Sequence, residues 1–314
     1  MTVRAQIVSA VPLGPAHLER LAEWNVTVVD FANTARSEVQ AALGGAEGLL
    51  VNSHSPVDQE MIDHATKLRV ISTISVGYDH IAVAATVTKG ISVTNAPVLS
   101  DAVADLTLGL MVMVSRKLGR ATADMARGEW SDGLLGTDLR AKTLLIIGFG
   151  RIGREVAARA LAFKMNVVFF DARPDAPGMA GVERVATLPE GLGQADIVSL
   201  HVDLNPSTFH LIGDAAIALM KPNTIVVNTS RGGVVDQVAL TRALGEGRLG
   251  GAGLDVLEVE PPAAGEPLLS MPNVVVLPHI GSATTETRDA MKDCAVDNLV
   301  ACMRGEDCAH VLVF

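Results

Sequence analysis

The chain has 314 residues, 25 of them basic and 35 acidic, for a formal net charge of −10; that length predicts about two domains, and the acidic balance excludes an ordinary nucleic-acid binder. Composition is 49% hydrophobic but 3% aromatic, with a mean hydropathy of +0.34. Even so, the longest apolar stretch, Leu106–Val114, is about half of the roughly 18 residues a membrane span needs, and Met1–Ala10 carries no secretion leader, so a cytoplasmic globular protein is expected.

In chain order, short β-branched runs alternate with helical stretches, the pattern of α/β folds with parallel sheets. The first third predicts strands at Gln6–Ser9, Val26–Phe31, Gly48–Asn52, Val70–Ser75 and Ile91–Thr94. Helices are predicted between them near Pro15–Trp24, Ser37–Leu43, Asp58–His64 and Ile81–Thr88. This part has no glycine-rich phosphate loop. Asn95-Ala-Pro97 makes a break, after which Ser100 or Asp101 can cap a new helix. Val103, Leu106, Leu110 and Val114 recur on it with helical spacing, and its several apolar sides suggest burial, including against a second copy of the chain. From Lys142 a second series predicts strands at Thr143–Ile147, Asn166–Phe170, Asp196–Val202, Thr224–Asn228, Gly251–Asp255 and Asn273–Leu277, followed by a helix over Thr284–Met303. The three cysteines, Cys294, Cys302 and Cys308, are odd in number and form no CxxC pair. They read as helix-packing thiols, and neither a disulfide framework nor a metal site is expected.

Gly148-Phe149-Gly150-Arg151-Ile152-Gly153 follows the strand Thr143–Ile147 and opens a helical stretch. Glycines at those positions permit a tight turn, close approach of backbone to a pyrophosphate, and tight helix–strand packing, while the helix N-terminus offers donors to the anion. The motif alone is a weak signal. Here it has the strand, the helix and an acidic residue, Asp171, 18 positions after Gly153, which fits a ribose contact. A carboxylate there repels a 2′-phosphate, so NAD is expected, with NADP as the alternative because Arg173 stands two residues on. Three further segments end predicted strands, where open α/β sheets bind ligands: Asn228–Gly233, Asp255–Pro261 and Pro278–Ser282. They bring an Arg, a Glu and a His to one rim. Arg holds a carboxylate in a fork, His exchanges a proton near neutral pH, and Glu orients the imidazole and favours its protonated form. Taken singly, each of the three is more often an ordinary surface residue.

Order and spacing together make the chain resemble the D-isomer-specific 2-hydroxyacid dehydrogenase family over essentially its full length. The residues that carry the resemblance are Ser75-Val76-Gly77-Tyr78-Asp79-His80-Ile81, Asn95-Ala-Pro97, Val103-Ala-Asp105-Leu106-Thr107, Gly148–Gly153 and the segments around Arg231, Glu260 and His279. Among subgroups it is most similar to glyoxylate/hydroxypyruvate reductases and the phosphoglycerate dehydrogenase core. The resemblance implies two doubly wound parallel-sheet domains, a Rossmann cofactor domain (99–284) inserted into a flavodoxin-like substrate domain (1–98 and 285–314). That division uses the whole chain, so no appended regulatory module is expected.

The activity implied is hydride transfer between a nicotinamide cofactor and C2 of a small 2-oxo acid, giving a D-2-hydroxy acid. By resemblance His279 protonates the nascent alkoxide, Glu260 pairs with His279, and Arg231 binds the substrate carboxylate. Backbone amides near Val76 and Gly77, from the other domain, complete the carboxylate site. Gly148, Gly150, Arg151, Ile152, Gly153, Asp171, Thr229, Ser230 and Gly281 line the cofactor, and Asp255 holds the nicotinamide carboxamide. A homodimer is expected. Departures from the family pattern include Asp203 where a proline often stands, a further carboxylate against a 2′-phosphate, and Glu129–Gly136, which lacks the tryptophan-rich character of some glyoxylate reductases. Glu260 argues against formate dehydrogenases, which carry glutamine there. The alternative is an NAD(H)-sensing binding protein on the same fold, like the C-terminal-binding-protein corepressors, which keep the Arg–Glu–His set. A methyltransferase using the glycine loop leaves the three residues unexplained.

Overall fold

Parallel sheets built from β-branched and leucine-rich runs form the frame of the molecule in a computed structural model that describes residues 5–98 and 100–313. The chain divides into two compact units, Met1–Leu99 with Thr284–Phe314, and Ser100–Ala283. The expected domain boundary falls at Leu99, which lies outside the described residues.

The first unit holds β1 (Gln6–Ser9), β2 (Asn25–Val28), β3 (Ala46–Asn52), β4 (Val70–Ile74) and β5 (Ser92–Thr94). All pair in parallel in the order β2-β1-β3-β4-β5, the flavodoxin-like arrangement. Ile71, Leu49, Leu50 and Val51 are fully buried, as central parallel strands require. The long helix Thr285–Arg304 covers one face. Gly48 admits it, since a Cβ there would lie 3.1 Å from Leu299 and 3.2 Å from Met303, and Ser72 Oγ donates to the Ala295 carbonyl at 2.7 Å. Thr284 caps this helix by accepting from the Thr287 amide, and Gly305 ends it in the left-handed region. Cys294 and Cys302 lie on the helix, whereas Cys308 lies beyond it, so only two of the three are helix thiols. Several predicted edges run too long, among them the first helix, which stops at Arg20, and β2, which stops at Val28, although Leu21 is still buried and the Val29 amide still donates to the Ser9 carbonyl at 2.9 Å.

The second unit holds β6 (Thr143–Ile147), β7 (Asn166–Phe170), β8 (Val182–Arg184), β9 (Ile197–Leu200), β10 (Ile225–Asn228), β11 (Gly251–Leu254) and β12 (Val274–Val276). Their order is β12-β11-β10-β9-β6-β7-β8 and every pair is parallel. The strand order reverses at β6, where a doubly wound sheet opens a crevice beyond its strand ends. The expected pair of doubly wound parallel sheets is therefore what the chain forms. Strand β8 and the helix Leu118–Ala126 were not foreseen.

The helix Ser100–Ser115 differs from its sequence reading in two respects. Ser100 and Asp101 are already helical, and Asp101 pairs with Arg159 at 2.8 Å rather than capping. One apolar side is covered within its own unit: Leu110 and Val114 lie over β11, where Cβ atoms on Gly251 and Gly253 would meet Val114 at 2.6 Å and Leu110 at 3.0 Å, while Leu106, Val112 and Met113 are only partly buried. Arg159 locks the helix to Arg151–Ala162 by reaching Asp101, Asp105 and Glu155 together. No helix among the described residues is long and apolar enough to cross a membrane.

Candidate active site

At the end of β6 the glycine loop turns sharply into the helix Arg151–Ala162. Gly148 has φ +91, and a Cβ there would sit 2.4 Å from the His201 carbonyl oxygen; both the conformation and the approach require glycine. A Cβ on Gly153 would lie 2.2 Å from the Gly148 carbonyl oxygen, so the third glycine seats the helix on the loop. Gly150 is different, because a Cβ there would meet nothing within 4 Å. That open space adjoins a helix N-terminus with no side-chain cap and no acidic residue in its first turn. A pyrophosphate fits there: orphan N–H donors, a positive dipole end and room for close approach coincide. Phe149 anchors the loop from below, stacked on Phe169 with ring centroids 3.9 Å apart.

Asp171 ends β7 and is 8% exposed. Its Oδ2 accepts from the Phe149 amide at 2.8 Å and its Oδ1 from the Arg173 amide at 2.9 Å. The Arg173 guanidinium closes a fork on both oxygens at 3.1 and 3.0 Å. Burial alone would raise this carboxyl, but the Arg173 and amide hydrogen bonds outweigh it and hold it at about 2. Asp171 is thus an anchor of the glycine loop, and Arg173 answers to the further negative charges of Asp175 and Asp203.

The Arg, Glu and His segments leave β10, β11 and β12. Asn228, 1% exposed, shapes the first: its Oδ1 accepts from Ser230 N–H and Oγ–H at 3.0 and 2.8 Å, and its Nδ2 donates to the Arg231 carbonyl at 2.9 Å. Sequence reading gave Asn228 no role; a strand-ending Asn looks like any turn residue until its partners are in place. Thr107 Oγ1 donates to the Val103 carbonyl, so in its 2.9 Å contact with Thr229 it is Thr229 that donates. Asp255, also 1% exposed, accepts from the Ile280 and Gly281 amides at 2.8 and 2.7 Å. Its own backbone bonds Asn228 and His279 at 2.9 Å each. Burial raises the Asp255 carboxyl, and these two amides oppose that. The Asp255 carboxylate thus pins the histidine loop to the end of β11, while its backbone N–H ties that end to Asn228 at the start of the arginine loop.

Glu260 and His279 meet: His279 Nδ1 lies 2.7 Å from Glu260 Oε2, while Oε1 accepts from the Leu257 amide at 2.9 Å. Burial raises Glu260, but its bonds to His279 and Leu257 prevail and leave it below the ordinary carboxylate range, so it is ionised at neutral pH. Both side chains stay about one-third exposed, at 32% and 35%, open to a reactant. His279 has φ +53, a conformation that histidine tolerates better than most residues. Arg231 donates to the Ser230 carbonyl at 2.9 Å, and its charge favours the ionised Glu260. In the first unit Val76 and Gly77 follow β4, with their carbonyls held by Asn95 Nδ2 at 2.8 Å and Ser75 Oγ at 2.6 Å.

A family model described as D-isomer specific 2-hydroxyacid dehydrogenase, NAD binding domain, matches residues 108–281. A glyoxylate reductase of Thermococcus litoralis is 45% identical over 263 residues, 80% of this chain and 78% of its own length. A glyoxylate/hydroxypyruvate reductase B of Yersinia enterocolitica is 40% identical over 309 residues, 94% of each chain. Among solved structures, an NADPH-dependent glyoxylate/hydroxypyruvate reductase of Sinorhizobium meliloti, in complex with NADP and malonate, is 31% identical with a TM-score of 0.88, covering 99% of this chain and 97% of its own. Matched through its nucleotide unit by the family model and through most of its length by these reductases, the chain belongs to the D-isomer-specific 2-hydroxyacid dehydrogenase family.

Proposed function

We propose that this enzyme reduces C2 of glyoxylate or hydroxypyruvate with NADH, using Arg231, Glu260 and His279. The observation that carries the proposal is the Glu260–His279 contact at 2.7 Å on a rim that also presents Arg231. When bound, the nicotinamide supplies the hydride. The chain's own residues do the rest. Arg231 draws the substrate carboxylate by a charge-assisted fork and turns the 2-oxo carbonyl toward the histidine. His279 gives its proton, from the ring nitrogen Nε2, to the oxygen on C2, a step worth roughly 10²–10⁴-fold. Glu260 holds Nδ1, fixing the ring and compensating its positive charge. The Val76 and Gly77 amides are proposed as further donors to the substrate carboxylate. Gly148–Gly153 would hold the pyrophosphate, and Thr229, Ser230, Asp255 and Gly281 would border the nicotinamide end.

NADH is favoured over NADPH by the Asp171 carboxylate, ionised throughout the working pH range, and by Asp175 and Asp203 around Arg173. The test is steady-state kcat/KM with NADH and NADPH across glyoxylate, hydroxypyruvate, pyruvate and phosphohydroxypyruvate. The first two acids with NADH should give the highest values. No turnover of any of the four would refute the reading and favour a cofactor-sensing protein.

We also propose a homodimer, formed through the segment 125–135. It exposes the apolar side chains of Met125 at 55%, Trp130 at 81% and Leu135 at 84%, which a second copy would cover.

A further inference from the structure

A second histidine–carboxylate pair lies against the loops that carry Arg231 and Glu260. His210 stands in the connection after β9 with φ +51. Its N–H donates to the Gly233 carbonyl at 2.8 Å. Two residues on, Ile212 donates to the Val234 carbonyl at 3.1 Å and accepts from the Asp236 amide at 3.0 Å. The backbone of 210–212 is thus stitched to the stretch directly after Arg231. The His210 ring turns to the other loop. Its Nε2 is in hydrogen-bond contact with Glu258 Oε1, two residues before Glu260, and its Nδ1 lies 3.9 Å from Asp236 Oδ2. Phe209 stacks on the ring with centroids 3.9 Å apart, and the Glu258 amide donates to Gln237 Oε1 at 3.0 Å. The two loops are themselves in backbone contact, since a Cβ on Gly232 would fall 1.9 Å from the Leu257 carbonyl oxygen.

Neither loop has much regular structure to hold it. The Arg231 loop offers only the three-residue turn Gly232–Val234, and the Glu260 loop none between β11 and the turn Pro267–Ser270. Their mutual placement therefore depends on cross-links, and a displacement of about 1 Å at such a site costs on the order of 10²-fold in rate. We propose that His210 and Glu258 are positioning residues: their hydrogen-bonded side chains clamp the Arg231 loop to the Glu260 loop and so set how well Arg231 meets the carboxylate of the 2-oxo acid. This inference rests on the roles proposed above for Arg231 and Glu260.

The experiment compares His210→Ala, Glu258→Ala, the double variant and Glu258→Gln, which keeps Oε1 as an acceptor. Each alanine variant is expected to raise KM for glyoxylate about tenfold, with a smaller fall in kcat and an NADH Kd within about twofold of the parent. Glu258→Gln recovers most of the loss, and the double variant is no worse than the worse single one, as for two halves of one contact. Amide hydrogen exchange, read without substrate, should quicken at 231–235 and 257–260 in the alanine variants. Unchanged exchange in those two segments overturns the clamp, as does a double variant whose KM rises by the product of the two single effects. A parent enzyme that turns over no 2-oxo acid refutes the proposed activity instead, and the exchange measurement still decides the clamp.

Discussion

Asp171 has one observed job and one proposed job. It anchors the glycine loop through the Phe149 amide, and it presents negative charge where the adenine ribose of a dinucleotide is expected. Replacing it tests the second job. Asp171→Ser removes the charge and releases Arg173 from its fork, so the ratio of kcat/KM for NADPH over NADH should rise at least about tenfold, the worth of one charge-assisted contact. An unchanged ratio would mean that cofactor choice is made elsewhere. At this scale the sequence was readable where a residue type is tied to its chemistry. Gly148 and Asp171 stand in a strand–turn–helix–strand context that suits a dinucleotide, whereas Glu260 and His279 stand out through the family resemblance. Asn228 and His210 were not readable, because their roles lie in partners that the fold brings from other strands, and an Asn at a strand end or a His in a loop has many ordinary uses.

Two glycines separate binding from architecture at the scale of the element. Gly150 borders open space, so Gly150→Ala should fold with a Tm within a few degrees of the parent and yet bind NADH at least about tenfold more weakly, because its methyl occupies the pyrophosphate's place. Gly232 has the Leu257 carbonyl where a Cβ would go; Gly232→Ala must part the Arg231 and Glu260 loops, and if these carry the proposed chemistry a loss of about 10²-fold in kcat/KM is expected. Isothermal titration and steady-state kinetics read both, and a Gly150→Ala protein that binds NADH normally would contradict the assignment of the helix N-terminus. The buried strands β6, β7 and β10 could be read as β-branched runs because both their faces are covered. Strand β8 could not: it is an edge strand of three residues, with Val182 partly buried and Glu183 and Arg184 exposed. The helix Leu118–Ala126 buries only Asp124; its apolar residues Leu118 and Met125 are exposed rather than packed into a core.

For the molecule as a whole, His201 makes folding sensitive to mild acid. Burial lowers its imidazole from 6.5 to about 3, and Nδ1 is buried without a hydrogen-bond partner. The unfolded chain binds this proton below pH 6.5 while the folded chain does not, so stability is complete above that pH and is lost as pH falls toward 3. Between pH 7 and 5 the loss should be about 1–2 kcal/mol. Denaturant midpoints measure it, and a His201→Gln protein should lose correspondingly less over the same range; an equal loss in both would place the sensitivity elsewhere. Asp171 adds to this only in stronger acid, since its contribution is present above pH 3.8 and is lost as pH falls toward 2. The most direct test of the whole account is NADH oxidation by the parent and by His279→Ala with glyoxylate and hydroxypyruvate, alongside NADH binding to each. A fall in kcat of roughly 10²–10⁴-fold with NADH Kd within about twofold is the predicted result. A His279→Ala enzyme that keeps its kcat would contradict proton transfer by His279.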